Sequence, residues 1–348
     1  MMPKIIGGGV FGLQLSHGSR QGYSPPFLGL RREYYLSARC AFLEVVRATG
    51  AKRVWLPSYL CPSMLEPFRK ALVEVRFYPV SARLRLEEDS WTAGLSPADL
   101  VIAIHYFGFE FSSFPWQRIC EKGAILLEDC GQALFKARTW PGSYGMVFSP
   151  RKFIGIPDGG VLAGGPASHS FGHPLEPAPP DWWSQALEAS LLRRDFDLAG
   201  GENKWYALFQ NVEATYPVGP FRASELSTFI LEEGVDYRQV AEARRANYAA
   251  LLVDLGEYAI FPALEEGCVP LGFPVTVPGP RREAILRFLY ARQIYPPVHW
   301  RLRDAVPSQF AESHDLSERI LTLIVDQRHD SSDMRRQKDC FLQAVRSA

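Results

Sequence analysis

The sequence carries no excess of either charge and no long hydrophobic run. Its 348 residues include 38 basic and 38 acidic side chains, and this balance gives no electrostatic reason to expect a nucleic acid or an anionic membrane as partner. No apolar stretch approaches the roughly 20 residues that span a bilayer. The glycine-rich amino-terminal segment lacks the pattern of a secretory signal peptide. These absences predict a cytoplasmic protein with neither nucleic acid nor membrane as partner.

Cysteine patterns typical of metal sites and disulfide frameworks are also missing. The six cysteines are scattered along the chain, and no two form a Cys-x-x-Cys pair. In a chain of this length, such cysteines are typical of free thiols in a reducing compartment. We therefore predict no metal site, and the cysteine pattern agrees with a cytoplasmic location.

The apolar content and its distribution predict an α/β protein with a large core. Apolar residues make up 47% of the chain, and its length favours two domains or one domain with an added lobe. Apolar strands and helices alternate from about 37 to 165, which predicts a mainly parallel sheet between two layers of helices. Charged helical stretches dominate after about 235. We therefore expect an arm over 1–30, a large domain over 31–235 and a smaller α/β domain over 236–348.

Local signals predict several helices. Ser37 is a good N-cap and Gly50 a good stop for a helix between them. A long helix is expected over 235–256, with four charged residues on its polar side: Arg238, Glu242, Arg244 and Arg245. Later helices are expected over 281–292, over 315–326 and from 333 onward, the last capped by Ser332.

One glycine-rich segment formally matches a dinucleotide-binding motif. Gly7–Gly12 reads G-x-G-x-x-G, but that motif needs a strand before it and a helix after it. Lys4–Ile6 is the only candidate strand, and the residues that follow lack helical periodicity. We therefore interpret this segment as a flexible arm rather than as a nucleotide site.

Three polar residues follow predicted strands. His105 ends the run LVIAIH, Asp129 ends AILLED, and Lys152 comes shortly after the apolar stretch Met146–Phe148. In open α/β sheets, ligands bind beyond the carboxyl ends of the strands, which makes these residues candidates for a site. Their types alone leave the alternatives of a structural ion pair and a core histidine open.

The sequences around these residues resemble one enzyme family. The matching segments are SARCA at 37–41, HYFG at 105–108, EDCGQA at 128–133, SPRKF at 149–153 followed by DGG, RASEL at 222–226 and IYPPVH at 294–299. In this order, they resemble the DegT/DnrJ-type nucleotide-sugar aminotransferases, which depend on pyridoxal 5′-phosphate (PLP). The resemblance covers roughly residues 30 to 345. It implies the fold-type-I architecture of aspartate aminotransferase and a homodimer.

The resemblance implies roles for five residues. Lys152 is expected to attach PLP covalently and then to move a proton, which requires an amine that is desolvated or otherwise has a lowered pKa. Asp129 is expected beside the ring nitrogen, where an anion favours the protonated and more electron-withdrawing ring. Gln132 matches the residue near the ring oxygen. The backbone of Ala38 and Arg39 is expected to bind the phosphate at a helix N-terminus.

Three positions depart from the family pattern. Val147 replaces a phosphate-binding serine, Pro220 replaces an asparagine that serves the partner subunit, and Cys61 replaces an aromatic residue that stacks on the cofactor. Ser149 is the candidate substitute for the serine. Tyr59 is the candidate for stacking, with a core tyrosine as the equal alternative.

Two histidines are candidate substrate contacts. His105 ends a predicted strand, and His299 follows a segment that lines the substrate cleft in the family. Each has a plain alternative, a core histidine for His105 and a surface-loop histidine for His299.

The implied function is transfer of an amino group from an amino acid, usually glutamate, to a nucleotide-linked keto sugar, in a pathway such as polysaccharide biosynthesis. The alternatives are a PLP enzyme of another reaction type, such as a decarboxylase or lyase, and a non-catalytic PLP-binding regulator. The sequence does not identify the acceptor.

Overall fold

The computed structural model describes residues 4–14, 24–164 and 174–347, and eleven strands lie within these ranges. They are β1 (Ile6–Gly7), β2 (Arg32–Tyr35), β3 (Arg53–Pro57), β4 (Glu74–Tyr78), β5 (Asp99–Ile104), β6 (Ile125–Cys130), β7 (Ser143–Phe148), β8 (Gly160–Ala163), β9 (Phe273–Thr276), β10 (Ile294–Tyr295) and β11 (Ile320–Leu323). Seven of them form one sheet in the order β2-β8-β7-β6-β5-β3-β4. Strands β3 to β7 are parallel to one another, whereas β8 and β2 complete the edge in antiparallel pairings.

Ten α-helices accompany these strands in the described ranges. They are α1 (Ala38–Thr49), α2 (Glu66–Lys70), α3 (Trp116–Glu121), α4 (Pro180–Ala199), α5 (Lys204–Ala214), α6 (Glu225–Glu233), α7 (Tyr237–Leu255), α8 (Gly279–Tyr290), α9 (Ala311–Arg319) and α10 (Ser331–Ser347). In the later part of the chain, β9 pairs with β11, and α10 packs on α7 and α8. The domain boundaries near 30 and 235 stay predictions.

Helix α1 begins and ends where its sequence predicts. The Ser37 side chain accepts a hydrogen bond from the backbone N–H of Cys40, which satisfies one of the free donors of the first turn. Gly50 ends the helix in the left-handed conformation, with φ of 63°, that glycine adopts without strain. The helix buries Phe42 and Val45 in the core.

The central strands are mostly buried, which explains their continuous apolar runs. All six residues of β5 are buried, as is typical of a parallel strand covered on both faces. The register pairs Ile104 with Asp129 and Asp129 with Val147. Strands β5, β6 and β7 therefore end at the same edge of the sheet, and a short 3-10 turn after β7 carries Lys152.

Some local predictions are wrong in detail. The helix expected over 315–326 ends at Arg319, and β11 follows it directly. The run ILTL is fully buried, and periodicity cannot distinguish such a run in a strand from one in a helix. The last helix is preceded by Asp330, whose carboxylate accepts hydrogen bonds from the N–H groups of Ser332 and Asp333. Asp330, rather than Ser332, is therefore its cap.

Helix α7 spans most of the stretch predicted for it, but Arg244 does not lie on a solvated face. The side chain of Arg244 has no exposed surface. Helices α5 and α6 had no counterpart in the predictions. No helix in the described ranges has the length and apolar content needed to cross a membrane.

The amino-terminal segment is tied to the body of the protein. Strand β1 pairs in parallel with β10, and Ile6 is fully buried. Residues 11–14 are not helical. A dinucleotide motif would also need its helix to continue through residues 15–23, which lie outside the described residues.

Candidate active site

A cavity of about 280 Å³ opens at the carboxyl ends of the parallel strands. Seven of the predicted site residues border it: Ala38, Arg39, Asp129, Gln132, Ser149, Lys152 and His299. These residues come from α1, from the ends of β6 and β7, and from a loop after β10. The fold therefore brings together side chains that lie far apart in the sequence.

Lys152 and Asp129 face the same small space. A Cβ atom placed on Gly131 would lie 2.9 Å from Asp129 Oδ1 and 3.6 Å from Lys152 Nζ. Among the described residues, Lys152 Nζ has no hydrogen-bond or ion-pair partner, and Asp129 Oδ1 accepts a hydrogen bond of 2.7 Å from the N–H of Gly131. Burial raises the pKa of Asp129, and the positive charge of Lys152 opposes this rise. The site thus combines an unpartnered amine with a half-buried carboxylate.

Gln132 presents an unused donor at the cavity wall. Its side chain is 2% exposed, and its Oε1 accepts a hydrogen bond of 3.0 Å from the N–H of Phe107. This bond fixes the amide, and its Nε2 has no partner within the described structure. Buried polar atoms normally have a partner, so this nitrogen is suited to a ligand acceptor.

The first turn of α1 forms another part of the wall. The backbone N–H groups of Ala38 and Arg39 lie in the part of a helix where no intrahelical acceptor is available. Strand β8 lies directly against this turn, because a Cβ on Gly160 would be 2.2 Å from the carbonyl carbon of Ser37. Ser149 is buried at the same cavity. The arrangement offers N–H donors to an anion.

His105 lies outside the cavity, which corrects the expected substrate contact. It is fully buried, with Nε2 3.0 Å from a Glu128 carboxylate oxygen. Its Nδ1 accepts a hydrogen bond of 3.1 Å from the N–H of Phe111, so the ring proton is on Nε2. Burial lowers the pKa of His105 despite the nearby carboxylate. Both ring nitrogens are occupied by structural bonds.

Tyr59 also lies away from the cavity wall, which corrects its expected stacking role. Its hydroxyl donates to the backbone carbonyl of His299 and accepts a hydrogen bond of 2.9 Å from the N–H of Trp300. Its ring lies beside that of Tyr106 in the core. Tyr59 therefore holds the loop that carries His299, whereas Cys61 and Trp300 border the cavity itself.

His299 faces the cavity as a neutral imidazole. Its Nδ1 lies 2.9 Å from the hydroxyl oxygen of Thr322. Desolvation, together with the positive charge of Lys152, lowers the pKa of His299 to about 3. At neutral pH the ring therefore adds hydrogen-bonding capacity to the cavity without adding a second positive charge beside Lys152.

Comparison with known proteins identifies the fold. No family model and no curated protein matches the sequence. Among solved structures, Helicobacter pylori PseC, an aminotransferase involved in the biosynthesis of pseudoaminic acid, superposes with a TM-score of 0.67 at 13% identity, over 96% of this chain and 93% of that one. The chain has fold type I, the fold of aspartate aminotransferase. The fold expected from the sequence is confirmed.

Two further fold-type-I structures are similar over most of their length. DesI, determined in the presence of its TDP-sugar product, gives a TM-score of 0.65 at 17% identity, over 92% of this chain and 82% of that one. The PLP form of Spr1654, a putative sugar aminotransferase from Streptococcus pneumoniae, gives 0.65 at 12% identity, over 92% and 88%. At identities this low, the structural similarity establishes a shared fold and nothing more.

An ion pair that sequence reasoning missed borders the cavity of this fold-type-I chain. Arg151 binds Glu213 of α5 through two hydrogen bonds of 2.6 and 3.1 Å. Arg39 and Arg151 lie over the ring of Tyr216 at 4.6 and 5.1 Å. Burial alone would raise the pKa of Glu213, but the charge and hydrogen bonds of Arg151, together with the charges of Arg39 and Lys152, lower that pKa. No motif marked Glu213, because α5 itself was not predicted.

The glycine-rich amino-terminal segment supplies another missed part of the fold-type-I cavity. Gly8, Gly9 and Phe11 border it. Arg328 holds the segment in place by donating to the carbonyl oxygens of Gly7 at 2.7 Å and Val10 at 2.8 Å. The segment interpreted as a flexible arm is therefore part of the cavity wall.

Proposed function

We propose that this chain is a PLP-dependent aminotransferase that moves an amino group from an amino acid to a nucleotide-linked keto sugar. The observation that carries the proposal is the shared space of Lys152 and Asp129, an unpartnered amine and a half-buried carboxylate at the carboxyl edge of a parallel sheet. The motifs around both residues resemble those of sugar aminotransferases, and the fold agrees with this assignment.

The residues at the cavity fit PLP. The Lys152 amine is available to condense with an aldehyde, and the Asp129 carboxylate offers a counter-charge to a protonated ring nitrogen. The unpartnered Nε2 of Gln132 suits the ring oxygen. A Cβ on Gly131 would intrude on Asp129, so glycine keeps this space open. When bound, PLP supplies an aldehyde that captures amines and a ring that withdraws electrons from the substrate carbon.

The protein groups then have separate tasks in the reaction. The hydrogen bond from Gly131 and the charge of Lys152 stabilise the anionic form of Asp129 against its burial. When it is not joined to the coenzyme, the Lys152 amine could take a proton from the substrate and return it. The neutral His299 lies at the cavity as a hydrogen-bonding group for a substrate hydroxyl or carbonyl.

The phosphate is assigned to the first turn of α1, where Ala38 and Arg39 offer backbone N–H groups. The family serine has no counterpart at Val147, which is fully buried in β7. Ser149 borders the cavity and takes the place of that serine in our proposal.

The nature of the acceptor is inferred from the structural neighbours. DesI is described with a TDP-sugar product, and PseC is described as acting in pseudoaminic acid biosynthesis. By the same resemblance, we propose glutamate as the donor, a homodimer as the assembly, polysaccharide biosynthesis as the pathway and the cytoplasm as the location.

Reduction with borohydride tests the proposal directly. Protein incubated with PLP and then reduced is expected to carry the coenzyme on the peptide that contains Lys152, and the Lys152→Ala variant is expected to carry none. Addition of the amino donor is expected to convert the bound coenzyme into its pyridoxamine form, as followed by absorbance. Label on another lysine, or no label at all, refutes the assignment of Lys152.

The same experiment separates the alternatives. A decarboxylase releases carbon dioxide from the amino acid, and a non-catalytic binder leaves both the donor and the absorbance unchanged. Conversion to the pyridoxamine form, with a keto acid released in equal amount, is the result that the aminotransferase proposal requires.

A further inference from the structure

Helix α5 carries two cavity residues that the chemistry proposed for Lys152 does not use. Phe209 and Glu213 both border the cavity, and side chains four positions apart lie on the same face of a helix. The adjoining face of α5 packs on α4, where the ring of Trp205 lies 6.0 Å from that of Phe196. The helix is therefore fixed from behind and presents an aromatic ring and a carboxylate side by side.

The Glu213 carboxylate is held in place and still has hydrogen-bonding capacity. Its two oxygens accept hydrogen bonds from Arg151 at 2.6 and 3.1 Å. A carboxylate offers about four lone-pair sites, so each oxygen is able to accept a further bond. The side chain of Glu213 is 33% exposed. Arg151 thus fixes the orientation of the carboxylate and leaves part of it accessible.

Glu213 carries a negative charge at neutral pH. Burial opposes this charge, but the charge and hydrogen bonds of Arg151, with the charges of Arg39 and Lys152, hold the pKa of Glu213 below its ordinary value. Hydrogen bonds to an ionised acceptor are shorter and stronger than those to a neutral one. The effect of Lys152 also places Glu213 within electrostatic range of the reactive amine, so a ligand bound to this carboxylate lies near the site of reaction.

The other carboxylates that border the cavity already have partners or tasks. In the described part of the chain, they belong to Asp129 and Asp326. Asp129 is assigned to the ring nitrogen of the cofactor. Asp326 is buried, and Arg328 binds both of its carboxylate oxygens, at 3.0 and 2.8 Å. Within the described cavity wall, Glu213 is therefore the carboxylate that is left for a substrate.

This part of the wall suits a ring with hydroxyl groups better than it suits the carboxylate of an amino acid. An ionised carboxylate only accepts hydrogen bonds, so Glu213 recognises a group that donates, such as a hydroxyl. A second carboxylate offers no proton and is repelled by the charge of Glu213. The flat apolar ring of Phe209 offers contact area to the C–H groups on the face of a sugar.

We propose that α5 recognises the acceptor sugar, with Glu213 accepting hydrogen bonds from its hydroxyls and Phe209 packing on the face of its ring. The inference rests on the proposed function, because that function is what brings a keto sugar to Lys152. Both residues act as specificity residues and take no part in proton transfer. The hydroxyl pattern of the sugar, rather than its ketone, is what they read.

Unreactive sugar nucleotides test this proposal without turnover. TDP-glucose and UDP-glucose carry no ketone, and TDP and UDP lack the sugar altogether. Calorimetry with PLP-loaded protein gives the affinity for each of the four compounds. Wild-type protein is expected to bind at least one of the two sugar nucleotides, and failure to bind either of them overturns the proposal.

A set of α5 variants identifies the residues that contact the sugar. Glu213→Gln removes the charge, and Phe209→Leu removes the flat ring. We expect each to bind the sugar nucleotide at least about fivefold more weakly than wild type, because a charged acceptor or an aromatic contact is lost. Their affinity for the free nucleotide should equal that of wild type. The matched control is Gln210→Ala, which changes an exposed residue of the same helix and should match wild type with all four compounds.

The pattern of losses decides the outcome. Wild-type affinity for the sugar nucleotide in both Glu213→Gln and Phe209→Leu overturns the proposal, and so does an equal loss for the free nucleotide. The absorbance of the lysine-bound coenzyme and the thermal unfolding midpoint show whether each variant is folded and loaded.

The donor half-reaction separates the sugar from the amino acid. In Glu213→Gln, the glutamate concentration for half-maximal conversion to the pyridoxamine form should stay at the wild-type value, because the donor carboxylate is not expected at this residue. A loss confined to this half-reaction assigns Glu213 to the donor and overturns the proposal. Wild-type protein that forms no lysine-bound coenzyme refutes the proposed function instead, and calorimetry with the four nucleotides still decides the role of α5.

Discussion

Replacing Glu128 by glutamine is expected to destabilise the protein strongly, although the two side chains have the same shape. Glu128 is fully buried beside the site residue Asp129. Its Oε2 lies 3.0 Å from His105 Nε2, and its Oε1 accepts from the hydroxyl of Thr139 at 2.6 Å and the N–H of Trp140 at 2.8 Å. A carboxylate accepts at both oxygens, whereas an amide accepts at only one.

The loss of stability follows from the hydrogen-bond donors that surround Glu128. If the glutamine oxygen faces Thr139 and Trp140, its NH₂ group meets the Nε2–H of His105. In the wild type, the N–H of Phe111 donates to His105 Nδ1. If the histidine proton moves to Nδ1, that N–H faces a second donor and loses its acceptor. Leaving buried donors unsatisfied costs about 1–3 kcal/mol, and the remaining bonds lose the strength that a charged acceptor gives them. We therefore expect Glu128→Gln to lower the free energy of unfolding by about 3 kcal/mol.

Urea unfolding followed by circular dichroism measures this difference. The matched control is Glu74→Gln, because the Glu74 carboxylate is 54% exposed and pairs with Arg76 at the surface; such pairs contribute about 0–1 kcal/mol. If Glu128→Gln costs no more than Glu74→Gln, the hydrogen-bond accounting given for this buried network is refuted.

Two further predictions concern packing and pH. Gly160→Ala places a Cβ 2.2 Å from the carbonyl carbon of Ser37. Because overpacking against backbone costs roughly 1–3 kcal/mol, this variant should displace the first turn of α1 and weaken PLP binding by at least about tenfold. Unchanged affinity for PLP in a fluorescence titration would contradict the contact. For Asp99, burial alone would raise the pKa, but bonds of 2.7 and 2.6 Å from Arg53 lower it in the folded state. The stabilisation is therefore present above the unfolded pKa near 4 and is lost as pH falls further. The stabilities of wild type and Asp99→Asn should differ at pH 7 and converge toward pH 3, and a constant difference would show that this ion pair is not responsible.

The sheet was predictable because its signals are local. Continuous apolar runs mark β5 and β6, and Ser37 and Gly50 mark the ends of α1. Asp129 and Lys152 were found because the ends of parallel strands meet at one edge, and motif resemblance assigned their roles. The wrong helix over 315–326 arose where a short buried run had no turn residue to separate it from α9.

The error at His105 has a definite geometric cause. Side chains alternate between the two faces of a sheet, so a shift of one residue reverses direction. The register pairs Ile104 with Asp129, and both border the cavity. His105 is one step further along and meets Glu128, which is one step before Asp129. The end of a strand indicates the edge of a site, but the register decides which residues face it.

Arg244 and the amino-terminal segment were beyond sequence reasoning for a different reason. An arginine on a charged helix is normally solvated, and Arg244 is buried only because Gln327, Pro270 and Leu271 come from distant parts of the chain. The segment around Gly8 likewise becomes part of the wall through Arg328. Such contacts depend on tertiary structure and leave no periodic trace in the sequence.

The wall of the cavity has a consequence for biosynthesis. Gly8 and Asp326 both border it, although more than three hundred positions separate them. A nascent chain on the ribosome has Lys152 long before Asp326 emerges, but it lacks the enclosure that would retain a small molecule. If the proposed function is right, binding of PLP should therefore be one of the last events in folding, and a chain released before residue 326 should not retain PLP.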